Sequence, residues 1–413
     1  MPARFRLLAR TGHPTFLDLP WHQPLEQWQS ERIVELVRGI SRHVVRFVNY
    51  GGDIYALKEL PERVAVREYG LLRRMEAESI PVVKAVGVVT DRGGELPDVL
   101  ITKHLDFSLP YRALFTGPGI PDLRTNLLRG LAELLVRLHL SGFFWGDCSL
   151  SNTLFRRDAG ALSAYLVDAE TSEWHPTLSD GQRDHDLLIA EENVAGELLD
   201  VAAETGLPPD IDPFETAADV RVSYDALWSE LTREEVFGPD ERYRIDERLR
   251  RLNELGFDVE EIQLVGDAEG YRLQLDPHVV EPGHHRRRLL MLTGLDAQEN
   301  QARRMLNDLA RFRAELEEQA GAPVPESVAA YRWRAEIFEP AVAAVPRELW
   351  NKLPAAEVFH QILDHRWYLS EQSGSDVGLD RAVDEYVEDV LRGRPDERTI
   401  VEERPPISAG EVV

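Results

Sequence analysis

With 413 residues the chain exceeds what one ordinary core encloses, so two domains and a tail are expected. Its 43% hydrophobic content and eight tryptophans exclude a disordered chain. A formal net charge of −26 makes most of the surface repel nucleic acid and anionic membrane, which excludes both as general partners.

Residues 1–30 read as an N-terminal extension. The next thirty alternate as strands do: Arg42-His43-Val44-Val45-Arg46-Phe47-Val48-Asn49-Tyr50, a hairpin link at Gly51-Gly52-Asp53, then Ile54-Tyr55-Ala56-Leu57-Lys58-Glu59-Leu60. Helical spacing of Val64, Leu71, Leu72 and Met75 predicts a helix over 63–78, broken at Ile80-Pro81. Strands over 85–90 and 97–104 follow, around Asp91-Arg92-Gly93-Gly94. An amphipathic helix over 122–140 stops at Ser141-Gly142, a C-cap signal. Phe143-Phe144-Trp145 then delivers Gly146-Asp147, a turn stands at 157–160, a strand ends on Asp168, and helix resumes over about 184–204. The breaker-rich stretch 205–213 marks a domain limit, which places one domain over 31–210 and a mainly helical one over 214–395. Within the second, helices are expected near 214–231 and 240–255, and a small hairpin from 261–265 and 271–275. Residues 396–413, rich in proline and carboxylates, read as a disordered tail.

No apolar run of about eighteen residues exists, and no apolar leader follows the N-terminus, so a soluble protein without membrane insertion is expected. A single cysteine, Cys148, allows neither an internal disulfide nor a cysteine-built zinc site and fits the cytoplasm. Only four of the 47 basic residues are lysine: Lys58, Lys84, Lys103 and Lys352. A lysine kept against that bias is a candidate for chemistry, since an ammonium is a compact point charge and a guanidinium a planar fork. The one basic patch, His284-His285-Arg286-Arg287-Arg288, reads first as a basic helix start and second as an anion contact for an acceptor.

Phosphoryl transfer needs a cation on the phosphates, oxygen ligands for magnesium, and a base for the acceptor hydroxyl. Gly146-Asp147-Cys148-Ser149-Leu150-Ser151-Asn152 places an Asp and an Asn five positions apart on one loop, so both reach one cavity. Asp168, ending an apolar strand, needs a cation or a hydrogen-bond cage. Upstream, Tyr55-Ala56-Leu57-Lys58 ends in a lysine, and Glu68 follows on the next helix.

In that order, residues 35–205 resemble the protein-kinase-like superfamily, nearest its bacterial lipopolysaccharide-kinase and sugar-kinase branch, and the whole chain is similar to an uncharacterised bacterial family with a helical C-terminal region. The resemblance implies an α+β fold: a two-lobed protein-kinase-like domain, with an N-terminal antiparallel sheet plus one helix and a helical C-lobe, followed by the mainly helical domain. It implies ATP and Mg2+ as cofactors, Asp147 as catalytic base, and Asn152 and Asp168 as metal ligands. Lys58 and Glu68 become the phosphate-orienting pair, and Lys103, His104 and Leu105 the hinge against adenine.

Trp145 stands where many relatives have His, Ala169-Glu170 follows Asp168 in place of Phe-Gly, and Gly39-Ile40-Ser41-Arg42 supplies one glycine where a glycine-rich loop is usual. No peptide-docking Ala-Pro-Glu segment separates Asp168 from Asp186, which favours a small-molecule, glycan or lipid-headgroup acceptor over a protein. An inactive nucleotide-binding module is the second reading, with a protein partner at the C-terminal domain; a protein kinase or nucleotidyl-transferase is the third. Asp184 and Asp186 are candidates for bracing the catalytic loop or capping a helix. His360, Asp364 and His365 read as an ordinary polar helix face, and Trp333, Trp350 and Trp367 as core.

Overall fold

A computed structural model describes residues 5–36, 42–116, 122–232, 235–237, 257–259, 263–267, 270–274 and 280–398. The N-terminal lobe contains β1 (Arg6–Ala9), β2 (Ile33–Val34), β3 (Val45–Tyr50), β4 (Asp53–Leu60), helix α1 (Val64–Ala77), β5 (Lys84–Thr90) and β6 (Asp98–Lys103). The strands form one antiparallel sheet in the order β1-β5-β6-β4-β3-β2. Two-residue periodicity decides what each face carries. Tyr55 and Leu57 of β4 pack with Val99 and Ile101 of β6 under Phe16, Leu19, Trp21, Leu25 and Trp28. Leu60, with the parity of Lys58, joins Leu72 and Met75 of α1 on the opposite face. The segment expected as a bare extension is therefore a strap over the sheet. Glu59 locks it by accepting from Leu25 N (2.9 Å) and Arg92 Nη1 (2.8 Å), and Arg92, wholly buried, also donates to Trp21 O. Buried ions hold only when partnered so fully.

The second lobe continues through β7 (Leu109–Pro110), α2 (Tyr111–Thr116), α3 (Leu123–Leu140), β8 (Phe143–Phe144), β9 (Thr153–Asp158), β10 (Ala161–Leu166), β11 (Glu173–Trp174), α4 (Asp180–Glu204) and α5 (Pro213–Thr232). Leu127, Leu131, Leu134, Leu135 and Leu138 make α3 the central helix of this lobe. A Cβ on Gly130 would stand 2.5 Å from Leu162 O, so only glycine lets α3 lie so close to β10. Ser179 and Gln182 form a capping box that starts α4. Helix α5 lies beyond the limit expected at 210, yet its Val220, Tyr224 and Leu231 belong to this same core. Between the lobes the backbone of 81–83 pairs with Leu166: Val83 N reaches Leu166 O, and Leu166 N reaches Pro81 O, both at 3.0 Å.

Short strands β12 (Glu235–Phe237), β13 (Phe257–Val259), β14 (Gln263–Asp267), β15 (Gly270–Gln274) and β16 (Val280–Pro282) follow, with β14 and β15 as the expected hairpin. The helix expected over 240–255 lies outside the described residues. Helices α6 (His284–Thr293), α7 (Glu299–Ala320), α8 (Glu326–Trp333), α9 (Glu339–Ala343), α10 (Ala355–Ser373) and α11 (Leu379–Tyr386) enclose a separate core around Met305, Trp333, Phe359, Ile362 and Tyr386. Of the three tryptophans read as core, only Trp333 is; Trp350, in a turn, and Trp367, on α10, are 48% and 66% exposed.

This unit docks on the β9–β10 turn. Buried Asp158 accepts from Asn300 N (3.1 Å) and Gln301 N (2.9 Å), capping α7 from another domain. Glu357 accepts from Ala159 N at 3.0 Å, Tyr165 donates to Gln298 Oε1 at 2.8 Å, and Arg157 meets Glu397 at 2.6 Å. Glu397 falls within the expected tail, whose residues from 399 onward lie outside the described ones.

Candidate active site

Lys58 and Glu68 meet because β4 turns its even positions toward α1. Lys58 Nζ stands 2.5 Å from Asp168 Oδ2, and 3.4 Å from both Glu68 Oε2 and Glu170 Oε2. Glu68 is buried, and its second oxygen accepts from Ala169 N at 3.2 Å, tying α1 to the chain just after β10. Burial alone would lower the lysine pKa, but the Glu68 and Asp168 charges outweigh it and hold the ammonium above its ordinary value. The closer carboxylate, Asp168, is the first partner of that ammonium. Burial, and next the Asp168 charge, push Glu68 from 4.5 up to about 8. Oxygens of Glu68, Asp168 and Glu170 all lie within 4.8 Å of one another. An all-oxygen donor set of this kind suits a hard divalent cation.

The Asp147 loop is held from below by one face of α4. Positions 186, 193 and 197 align at helical spacing, and all three side chains reach the loop. Buried Asp186 accepts from Trp145 N (2.7 Å), Gly146 N (2.8 Å) and His139 Nε2 (3.1 Å). It braces the loop, whereas Asp184 pairs with Arg221 at the surface. Asn193 Nδ2 donates to Asp147 Oδ1 at 3.2 Å and to Cys148 O at 3.1 Å. Glu197 accepts from Leu150 N (2.6 Å) and Ser151 N (3.0 Å). From within the loop, Asn152 Nδ2 donates to Asp147 Oδ2 at 3.0 Å. Gly146 has φ +77°, and a Cβ there would crowd Phe144 and Thr171, so the glycine before Asp147 is a conformational requirement. Trp145 fills the usual histidine position and donates from Nε1 to Asp168 O at 3.1 Å, joining the two carboxylate segments. The Cys148 thiol is buried, and that burial raises its pKa well above the ordinary value, so it is packing and not a nucleophile.

From the N-lobe, Arg42 Nη2 reaches Glu170 Oε1 (3.2 Å) and Asp147 Oδ2 (3.6 Å), and His43 Nε2 reaches Glu170 Oε2 (2.8 Å). Arg42 and His43 thus lie over the carboxylates, just after the one-glycine segment Gly39-Ile40-Ser41; residues 37–41 are outside the described ones. Lys103, His104 and Leu105 connect the lobes: Lys103 pairs with Asp53 at 2.8 Å, and His104 N donates to Ile54 O at 2.9 Å. They do not touch the Lys58 cluster but line a cavity beside α3 and α6. The basic patch at the start of α6 is largely neutralised by Asp296, Glu299 and Glu326. His360 bonds Asp364 at 3.1 Å along α10.

Sequence reasoning brought together Lys58, Glu68 and Asp168, and separately Asp147 and Asn152. It missed Arg42, His43, Asn193 and Glu197, and noted Glu170 only as a departure. Glu170 could have been found from its position two after Asp168, and Asn193 and Glu197 from their shared helix face with Asp186.

The lipopolysaccharide kinase (Kdo/WaaP) family profile matches residues 41–192, the span that carries every one of these side chains except Asn193 and Glu197. This part of the chain is a Kdo/WaaP-family domain. A domain of unknown function (DUF4032) matches residues 226–391, so the chain joins a Kdo/WaaP domain to a DUF4032 domain. No curated protein matches the sequence significantly. Among solved structures, WaaP in complex with acyl carrier protein is 16% identical, with 60% of this chain and 99% of that one covered and a TM-score of 0.37. An aminoglycoside-3'-phosphotransferase of type VIII is 16% identical over 48% of this chain and 86% of that one, TM-score 0.33. The Rio2 kinase–ADP/Mg2+–phosphoaspartate complex from Chaetomium thermophilum is 16% identical over 47% and 69%, TM-score 0.31. No helix among the described residues is long and apolar enough to cross a membrane.

Proposed function

We propose that the Kdo/WaaP domain is an ATP- and Mg2+-dependent phosphotransferase acting on a hydroxyl of a small molecule, glycan or lipid headgroup. The observation that carries this is the convergence of Lys58, Glu68 and Asp168 from three separate segments, with the Asp147–Asn152 loop secured beneath Asp168 through Trp145. Asp168, Asn152 and Glu170 would hold the metal, which when bound neutralises phosphate charge. Lys58, oriented by Glu68, places its ammonium on the phosphates. Asp147 accepts the proton of the acceptor hydroxyl while that oxygen bonds the γ-phosphorus and the bond to the β,γ-bridging oxygen breaks, leaving ADP. Two amide donors, from Asn152 and Asn193, orient the Asp147 carboxylate before the step.

A small acceptor is supported by the short path from Asp168 to α4, which contains only the two-residue strand β11 and offers no peptide platform. The lone buried thiol supports a cytoplasmic setting. Purified full-length protein should be incubated with ATP and Mg2+ against a panel of hydroxylated acceptors, with products read by mass spectrometry. Phosphorylated product that is lost in Asp147→Asn supports the reading. No thermal stabilisation by ATP with Mg2+ and no turnover on any acceptor would reject it.

A further inference from the structure

Lys84 and Lys103, two of the four lysines, and Arg286 and Arg287 of the basic patch are brought together by the fold. A cavity of about 560 Å³ lies between the interlobe segments 79–82 and 103–106, helix α3, the β9–β10 hairpin and the start of α6. Lys84, Lys103, Arg137, Arg156, Arg286 and Arg287 line it. Six cations in one cavity stand out in a chain whose formal charge is −26, and two of them are among its four lysines. Carboxylates line it too, but most are already engaged: Glu76 by Arg10 (2.6 Å), Glu133 by Arg129 (3.4 Å), and Glu299 by His285 (2.7 Å). Asp296 takes up Arg286 at 2.9 Å. Among the described residues Lys84 makes no ion pair, and Arg156 donates only to the carbonyl of Asp106, at 2.8 Å from Nε. A guanidinium satisfied by a neutral carbonyl and an ammonium without an ion-pair partner, lining one cavity, form an anion site in waiting, with Asp106 the one lining carboxylate beside them.

We propose that this cavity binds a phosphorylated small molecule, held by Lys84 and Arg156. Its volume suits a metabolite, and the strongly acidic remainder of the chain disfavours a polyanionic macromolecule. It is separate from the catalytic cluster, because none of Lys58, Asp147, Asn152 and Asp168 lines it. An occupant touches Val82, whose bridge to Leu166 joins the lobes, together with the hinge and the DUF4032 domain. The site therefore stands where the C-terminal domain can report to the pivot of the Kdo/WaaP domain, whether or not that domain transfers phosphate.

Calorimetric titration of the full-length chain with inorganic pyrophosphate, in EDTA to withhold divalent metal from the Asp168 cluster, tests this. Three variants are compared with the parent: Lys84→Gln, the double variant Lys84→Gln/Arg156→Gln, and Lys58→Ala. Binding should weaken about tenfold in the single variant and further in the double, the scale of a lost charge-assisted hydrogen bond, and persist in Lys58→Ala. Lys84 is exposed, so its replacement leaves folding intact and the single variant decides if the double does not fold. Absence of pyrophosphate binding in the parent, or binding lost in Lys58→Ala and retained in Lys84→Gln, overturns the proposal.

Discussion

Asp186→Asn isolates the brace beneath the Asp147 loop. The carboxylate accepts three hydrogen bonds in a fully buried site, with Oδ2 serving Trp145 N and His139 Nε2, and Oδ1 serving Gly146 N. Because a carboxylate only accepts, His139 donates from Nε2, and its Nδ1 stands 2.7 Å from the Tyr224 hydroxyl. Asparagine can keep its one oxygen at the Oδ2 position, but its amide then faces the Gly146 N–H, donor against donor. One charge-assisted bond is lost, about 1.5–3 kcal/mol, and one buried donor is stranded at about 1–3 kcal/mol more. A net destabilisation of about 3–5 kcal/mol follows, within the range for breaking a buried charged contact. Urea unfolding followed by tryptophan fluorescence should show it as an earlier midpoint for the transition of this domain, since Trp145 reports locally. Displacing Gly146 also moves Asp147, and an error of about 1 Å in a catalytic group costs about a hundredfold in turnover. A midpoint shift equivalent to less than about 1 kcal/mol with unchanged turnover would refute the bracing argument.

Lys58→Arg should reduce turnover strongly despite retaining charge, because a planar guanidinium does not fit the point between Asp168, Glu68 and Glu170; Asp147→Asn should leave ATP binding nearly intact and cut the rate by about two orders of magnitude or more. Binding and turnover measured on both variants check this, and a silent Asp147→Asn in an active protein would remove Asp147 as the base. Glu68, raised from 4.5 to about 8, holds a proton in the folded protein that the unfolded chain has released across that window. Its contribution to stability is therefore fully present below 4.5 and lost as pH rises toward 8, so Glu68→Gln should flatten the pH dependence of the unfolding midpoint in nucleotide-free protein. An unchanged slope contradicts this. Asp158→Ala removes the interdomain cap of α7 and should cost about 2–4 kcal/mol, read as earlier denaturation of the helical domain; an unaltered denaturation curve would show that the docking does not depend on it.

The sequence by itself determined the order β3, β4, α1, β5 and β6, though not β1, because period-two alternation and Gly-Gly-Asp specify a hairpin wherever they stand. It also determined the Asp147–Asn152 pair, since both groups lie on one short loop and their meeting depends on local geometry alone. Lys58 and Glu68 were legible through the resemblance of Tyr55-Ala56-Leu57-Lys58 and the helix after it to the kinase motifs. Tertiary structure alone decided the rest. Asn193 and Glu197 serve a loop some 46 residues earlier in the chain, and no local pattern encodes which helix face packs there. The strap at 16–28 looked like a loose extension because its partner is the Glu59–Arg92 ion pair, formed only once β4 and the β5–β6 turn are adjacent. Likewise α5, set off by helix breakers, belongs to the first core because Val220 and Tyr224 fill space that α3 and α4 leave open. The cationic cavity joins residues 84, 156 and 286, whose proximity follows from the packing of two lobes and of the C-terminal domain on them. Local pattern fixes what a segment is; burial of its apolar face fixes where it goes, and so which distant charges meet.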